Sequence, residues 1–150
     1  MNLSSTFRLT LVVAAWFVGG LTAVADKPAS DAKPKPKPVG RQVPNFVLPD
    51  QDGKPLALAD LGETRFLVVV FVGTECPIGN AYIPALNSLQ QRYKDRGVRV
   101  IGINPNLADE TTAIREHHRK FKITFPVLID SEQRVADLFG AARTPEVFVL

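Results

Sequence analysis

Hydrophobic residues form unbroken runs in some parts of this chain, which is typical of buried strands, and recur at helical spacing in others. Phe66–Val72 (FLVVVFV) is an unbroken apolar run, which predicts a central strand buried on both faces. Apolar residues then recur at helical spacing from Ile78 to Tyr93, and Gly97 ends that predicted helix. The later pattern predicts a strand at Val98–Ile103, a helix from an N-cap at Asp109 to Phe121, a strand at Pro126–Ile129, a helix at Glu132–Phe139 and a strand at Glu146–Leu150.

Before these elements, Val43–Leu61 contains short apolar stretches on either side of Asp52-Gly53, a dipeptide typical of hairpin turns. Strands that alternate with helices predict an α/β fold with a mostly parallel central sheet and flanking helices. The hairpin would extend this fold on its N-terminal side.

Residues 1–25 have the pattern of a secretory signal peptide. Arg8 supplies the positive charge, Leu9–Gly20 the apolar core, and Ala23–Ala25 the small residues before a cleavage point. An uncleaved membrane anchor is the alternative, but the apolar segment is short for a span of about 20 residues. We therefore expect a secreted or periplasmic protein, attached to a membrane only if the leader is retained.

Residues 26–40 form a Lys/Pro-rich linker, because alternating prolines favour an extended chain without packed elements. The formal net charge of the chain is +3, but residues 41–150 contain 13 basic and 13 acidic residues. The excess positive charge belongs to the leader and linker, so the predicted domain at 41–150 lacks the basic balance expected of a nucleic-acid-binding fold.

The chain has one cysteine, Cys76, which excludes an internal disulfide and a zinc site built from several cysteines. Cys76 follows the buried strand by a few residues, and Pro77 is favoured at the first position of a helix. Cys76 is therefore predicted at or next to a helix N-cap, where unpaired N–H groups favour a thiolate. A buried, unreactive cysteine is the alternative.

Several motifs stand in the order found in the thioredoxin-fold redoxins. They are Val43–Leu48 (VPNFVL) with Asp52–Lys54, Phe71–Pro77 (FVGTECP) with Pro84, Ile103–Asn106 (INPN), Phe125–Asp130 (FPVLID) and Phe139–Pro145 (FGAARTP). Residues 41–150 thus resemble this group, which includes the AhpC/TSA peroxiredoxins and TlpA-like thiol–disulfide oxidoreductases. The likeness is greatest to a peroxiredoxin-like branch with one cysteine. It implies a thioredoxin-like fold, and because the chain stops inside an apolar strand, we expect a domain truncated before its last strand and helix.

The resemblance implies roles for the residues around Cys76, which would be the reactive thiol. Pro145 matches a cis-proline that faces this thiol, and Thr144 would present backbone polar groups to a bound partner. Thr74 and Pro77, on either side of the cysteine, are expected to support the site.

The chain also departs from the patterns that it resembles. Gly79 stands where a Cys-x-x-Cys motif has its second cysteine, so a dithiol cycle within these residues is not possible. Typical peroxiredoxins carry Thr at the position of Gly73 and Arg at the position of Pro145. Arg143 lies two residues before that proline, on the same face of a strand, and could replace the arginine in space.

Two further groups of residues, a pair of histidines and a pair of glutamates, are candidates for chemistry. His117 and His118 are adjacent on a helix, so they point about 100° apart and cannot both bind a metal on one face. The helical spacing places one of them, His117 or His118, on the face of Ile114 and Phe121. As candidate chemistry we nevertheless interpret the pair as part of a solvated helix face, and we expect no metal or other cofactor. Glu75 and Glu146 flank the predicted site as candidate proton relays.

These observations predict an exported, thiol-dependent oxidoreductase of the redoxin type. Cys76 would reduce a peroxide or exchange a disulfide, and an external thiol would resolve the product. The alternative is a non-catalytic thioredoxin-fold binding or scaffold domain of a longer protein, because a fold does not imply a function.

Overall fold

The structure, a computed structural model, describes residue 40 and residues 42–150. The predicted leader (1–25) and all but the last residue of the predicted linker (26–40) lie outside the described residues. The elements are β1 (Val47–Pro49), β2 (Pro55–Ala57), β3 (Phe66–Phe71), α1 (Pro77–Tyr93), β4 (Val98–Asn104), α2 (Thr111–Lys120), β5 (Val127–Ile129), α3 (Arg134–Phe139) and β6 (Glu146–Val149). Among these described elements, no helix is long and apolar enough to cross a membrane.

Four strands form the central sheet in the order β5-β4-β3-β6. Strands β3, β4 and β5 are parallel, and β6 is antiparallel to β3. Strands β1 and β2 form a separate antiparallel hairpin, in which the Asp50 carboxylate accepts the N–H groups of Asp52 and Lys54. The predicted α/β fold with a mostly parallel sheet and an N-terminal hairpin is therefore confirmed.

Strand β3 is central because both of its faces are covered. Alternate residues Leu67, Val69 and Phe71 pack with α3 and the hairpin, while Val68 and Val70 pack on the opposite side with α1 and α2. This double burial explains the unbroken apolar run in the sequence. It also fixes the carboxyl end of β3 in place, and the chain turns there into the loop that carries Cys76.

Three details differ from the sequence-based expectations. The prediction that Asp109 caps α2 is wrong: Glu110 is the N-cap residue, and the Asp109 side chain bonds elsewhere. Helix α3 begins at Arg134 rather than Glu132, where the Asp130 carboxylate accepts the N–H groups of Val135 and Ala136. In α1, the apolar residues Ile78 and Tyr82 are exposed, whereas Gly79 and Ile83 face the core.

Candidate active site at Cys76

Cys76 lies at the carboxyl end of the parallel strands, where the loop after β3 enters α1. It is half-buried and is the N-cap residue of the helix. The N–H of Gly79 donates to Cys76 Sγ at 3.3 Å, and in the thiol form Sγ donates to the carbonyl oxygen of Thr144 at 3.4 Å. Loss of the thiol proton removes only the second bond. The Gly79 N–H remains as a donor to the thiolate, which is the nucleophilic form.

The loop before β6 faces the cysteine through Thr144 and Pro145. The peptide bond between these two residues is cis, as predicted. Pro145 and Val147 line an apolar groove of about 500 Å³ together with Ile78 and Tyr82 of α1. We call this feature the apolar groove; it places exposed hydrophobic surface directly beside the first turn of the cysteine helix.

A second cavity, of about 520 Å³, is lined by Cys76 itself. We call it the polar cleft, because Glu75, Asn106 and Gln133 contribute to its walls. Thr144 borders both the polar cleft and the apolar groove. The thiol therefore opens onto a cleft in which polar side chains stand beside Leu107 and Ala108, and the apolar groove also borders Thr144.

The peptide groups of Thr74 are held from two directions, which fixes the loop before the cysteine. The N–H of Thr74 donates to Asp109 Oδ2 at 3.0 Å. Its carbonyl oxygen accepts a hydrogen bond from Asn80 Nδ2 at 3.1 Å. Thr74 thus supports the site through its backbone, by a contact with α1 and another with the loop after β4.

Asp109 joins three segments of the active-site edge through one carboxylate oxygen. Besides the Thr74 N–H, its Oδ2 accepts hydrogen bonds from the side-chain amides of Asn104 at 2.7 Å and Asn106 at 3.1 Å. Burial alone would raise the pKa of Asp109, but the hydrogen bonds from Asn104, Thr74 and Asn106 outweigh burial and lower this pKa. The carboxylate is therefore ionised at neutral pH.

His117 is buried, so the prediction that both histidines lie on a solvated helix face is wrong. Its side chain is only 8% exposed, because α2 turns it inward toward α1, where Nε2 lies 2.6 Å from Asn80 Oδ1. Burial lowers the pKa of His117, and His118 and Lys120 lower it further, while Asp109 acts in the opposite direction. His118 instead bonds the carbonyl oxygen of Phe125 at 3.1 Å.

The other predicted residues lie around this centre, and among the described residues none of them forms a hydrogen bond with the sulfur. Pro77 occupies the first turn of α1. Arg143 is exposed and lines the apolar groove as well as a neighbouring cavity with Asn106 and Gln133, but it does not line the cleft that contains Cys76. Glu75 lines the polar cleft, whereas the Glu146 carboxylate accepts the N–H of Ala142. Within the described part of the chain, no three His, Cys, Asp or Glu side chains are grouped to hold a metal ion.

The two glycines that depart from the resembled patterns, Gly73 and Gly79, have different structural surroundings. A Cβ atom at Gly73 would lie 2.5 Å from Asn106 Nδ2, so the threonine of typical peroxiredoxins would displace the Asn106 amide, which Asp109 holds at 3.1 Å. A Cβ at Gly79 would lie 3.4 Å from Cys76 Sγ, which is ordinary contact. Gly73 thus lies in close contact with Asn106, whereas Gly79 leaves space beside the thiol.

Comparison with known proteins agrees with this architecture. Residues 39–150 match the model of the AhpC/TSA family, and the chain belongs to that family. Over 114 residues it is 35% identical to the thiol-disulfide oxidoreductase ResA of Bacillus thuringiensis (strain Al Hakam), covering 75% of this chain and 63% of ResA. The chain therefore spans less than two thirds of that relative's length.

Solved structures place the fold among the thioredoxin-like proteins. A hypothetical protein from Sinorhizobium meliloti 1021 superposes with a TM-score of 0.71 at 29% identity, covering 76% of this chain and 65% of that chain. The thioredoxin domain of a thiol-disulfide oxidoreductase from Bacteroides vulgatus gives a TM-score of 0.67 at 16% identity, covering 77% and 82%. The predicted thioredoxin-like fold is thereby confirmed.

Proposed function

We propose that this protein is a thiol–disulfide oxidoreductase in which Cys76 is the nucleophile. The observation that carries the proposal is the position of its sulfur between the Gly79 N–H and the Thr144 carbonyl, in the polar cleft, which shares Thr144 with the apolar groove. An N-capping cysteine that borders a cleft has both the activation and the access that a reactive thiol needs. The name of the curated relative supports the same chemistry.

The reaction would proceed through a mixed disulfide. The Cys76 thiolate attacks one sulfur of a substrate disulfide, forms a new S–S bond and releases the other substrate sulfur as a thiolate. An external thiolate then attacks the mixed disulfide and returns Cys76 to its reduced form. The resolving thiol must come from outside these 150 residues, because they contain one cysteine.

Peroxide reduction is the second candidate reaction, supported by membership of the AhpC/TSA family. In that reaction the thiolate attacks the peroxide oxygen, forming a sulfenic acid while an alkoxide or hydroxide leaves. Two features weigh against it. Position 73 is a glycine packed against the Asn106 amide, and Arg143 is exposed and does not line the cleft that contains Cys76. Disulfide exchange is therefore the preferred reaction.

Oxidised glutathione tests the exchange reaction directly. One glutathionyl group per chain is expected on the folded protein by mass spectrometry, and none on Cys76→Ser. The folded protein should also react faster than the same chain in concentrated urea, because the helix N-terminus activates the thiol only when it is folded. Slower reaction of the folded chain would instead support the non-catalytic binding or scaffold domain.

We also propose that the protein is exported, on the basis of the leader pattern in residues 1–25. N-terminal sequencing of the protein from its native cells tests this. A start at Asp26 supports a secreted or periplasmic protein, and an intact N-terminus in the membrane fraction supports an uncleaved anchor. An intact N-terminus in the soluble cytoplasmic fraction contradicts export.

A further inference from the structure

Asn80 fastens the loop before the cysteine onto the first turn of α1. Its backbone N–H donates to the Cys76 carbonyl at 2.9 Å, and its side-chain Nδ2 donates to the Thr74 carbonyl at 3.1 Å. One residue therefore holds the carbonyl groups of both neighbours of Glu75, Thr74 and Cys76. The orientation of the Asn80 amide decides whether the second of these bonds exists, because only its nitrogen can donate.

His117 sets that orientation from the neighbouring helix. Since Nδ2 donates to Thr74, Oδ1 is the atom that faces His117, and an oxygen can only accept. The Nε2 atom of His117 must then carry the hydrogen and donate across 2.6 Å. The imidazole also stacks at a tilt against Phe121, with ring centroids 4.6 Å apart, which restricts its rotation.

We propose that His117 is a positioning residue for Cys76, acting through the Asn80 amide and the Thr74 carbonyl. The proposal rests on the proposed function of Cys76 and adds a residue from α2 that bonds neither the sulfur nor its immediate neighbours. Asp109 holds the Thr74 N–H on the opposite side. The loop before Cys76 is thus held by α2 through Asn80 and, on the other side, by Asp109 in the segment after β4. Loss of either contact frees one of the two peptide groups of Thr74.

His117→Leu keeps the apolar bulk but removes the donor, so Asn80 can rotate and release Thr74. His117→Gln retains an N–H donor on a side chain of similar reach. The control is His118→Leu, which removes the neighbouring histidine of the same helix. His118 bonds the carbonyl oxygen of Phe125, a contact that does not involve the cysteine loop. The measured quantities are the rates of Cys76 with iodoacetamide and with oxidised glutathione, beside the urea-unfolding midpoint.

We expect His117→Leu to lower both rates about tenfold, as small displacements of reacting groups commonly do. His117→Gln should restore most of each rate, and His118→Leu should keep the wild-type rates even where it lowers the unfolding midpoint. Equal rates in His117→Leu and wild type would overturn the proposal. So would an equal loss in His117→Leu and His118→Leu, since that pattern indicates a general packing effect.

A double-mutant cycle with Asn80→Leu separates the positioning path from simple destabilisation. If His117 acts through Asn80, the double variant Asn80→Leu/His117→Leu loses no more reactivity than Asn80→Leu alone. Multiplicative losses would contradict this path. Failure of the proposed function would give a different result. In that case Cys76 of the wild-type protein reacts more slowly in the folded state than in urea, whatever the rates of the variants.

Discussion

Cys76 and Thr144 are 68 residues apart in the sequence, yet the cysteine sulfur lies 3.4 Å from the threonine carbonyl oxygen. The contact forms because β6 pairs antiparallel with β3, so the start of one strand lies beside the end of the other. The same pairing opposes Glu146 to Phe71, at the edge from which the cysteine loop departs. Because the contact uses a backbone carbonyl, it does not depend on which side chain stands at position 144.

The isolated thiol leads to a prediction about peroxide. One equivalent of hydrogen peroxide is expected to give one sulfenic acid per chain, which dimedone traps, and excess peroxide should oxidise Cys76 further and irreversibly. The reason is that no second thiol of this sequence can condense with the sulfenic acid. Mass spectrometry measures each product. In Cys76→Ser both should disappear, and peroxide consumption at the same rate by that variant and wild type would exclude a peroxidase.

Gly73 is predicted to be intolerant of even a methyl group. In Gly73→Ala, the new Cβ would displace the Asn106 amide, which is held by Asp109 at 3.1 Å, so we expect a loss of about 1–3 kcal/mol in the free energy of unfolding. Urea unfolding measures it. The matched control places the same change in an Asn106→Ala background, where the clashing atom is gone. If Gly73→Ala costs as much there, the close approach to Asn106 is not the cause.

Much of the fold follows from local patterns in the sequence, whereas the supports of the site do not. The apolar run of β3 and the Cys76-Pro77 pair predict the central strand and the N-capping cysteine, because both depend on neighbouring residues. Asp109 satisfies the local rule for an N-cap, but its carboxylate is used by Thr74 instead, and no local rule describes a bond across 35 residues.

His117 could not be distinguished from His118 by helical position alone, because both lie near the apolar face. Its burial depends on how α2 packs beside α1, which decides that His117 meets Asn80. One signal was present in the sequence: Asn104 and Asn106 follow a buried strand at the same sheet edge as Cys76. Polar side chains that follow a buried parallel strand indicate the edge of the sheet at which a functional site lies. This pattern therefore points to the segment that contains Asp109.

Asp109→Asn is predicted to destabilise the protein and loosen the cysteine loop. One oxygen of the Asp109 carboxylate accepts three hydrogen bonds. In one of the two orientations of an asparagine side chain, the NH2 group would stand in place of this oxygen and face the three donors. We expect the free energy of unfolding to fall by about 2 kcal/mol, measured by urea titration at neutral pH. Glu116→Gln, an exposed carboxylate on α2, serves as the control and should change the value by less than about 0.5 kcal/mol. Similar losses in both variants would contradict a special role for Asp109.

The buried imidazole of His117 predicts a dependence of stability on pH. Burial, helped by His118 and Lys120 and opposed by Asp109, lowers the pKa of His117 in the folded protein below its ordinary value of 6.5. In the unfolded chain the same group takes up a proton at that ordinary value, so unfolding is accompanied by proton uptake between the two pKa values. The contribution to stability is therefore complete above about pH 6.5 and declines as the pH falls toward the folded-state pKa.

Urea unfolding of wild type and His117→Gln between pH 7.5 and pH 5, about one unit or more on either side of the ordinary histidine pKa, measures this decline. Glutamine does not titrate, so the variant lacks this decline and its unfolding free energy should approach that of wild type as the pH is lowered. His118→Gln retains the burial of His117, which is the largest cause of its lowered pKa, and should retain the decline except for the smaller part that His118 itself contributes. Parallel curves for wild type and His117→Gln would mean that the imidazole has the same pKa in both states, and that its burial beside Asn80 carries no electrostatic cost.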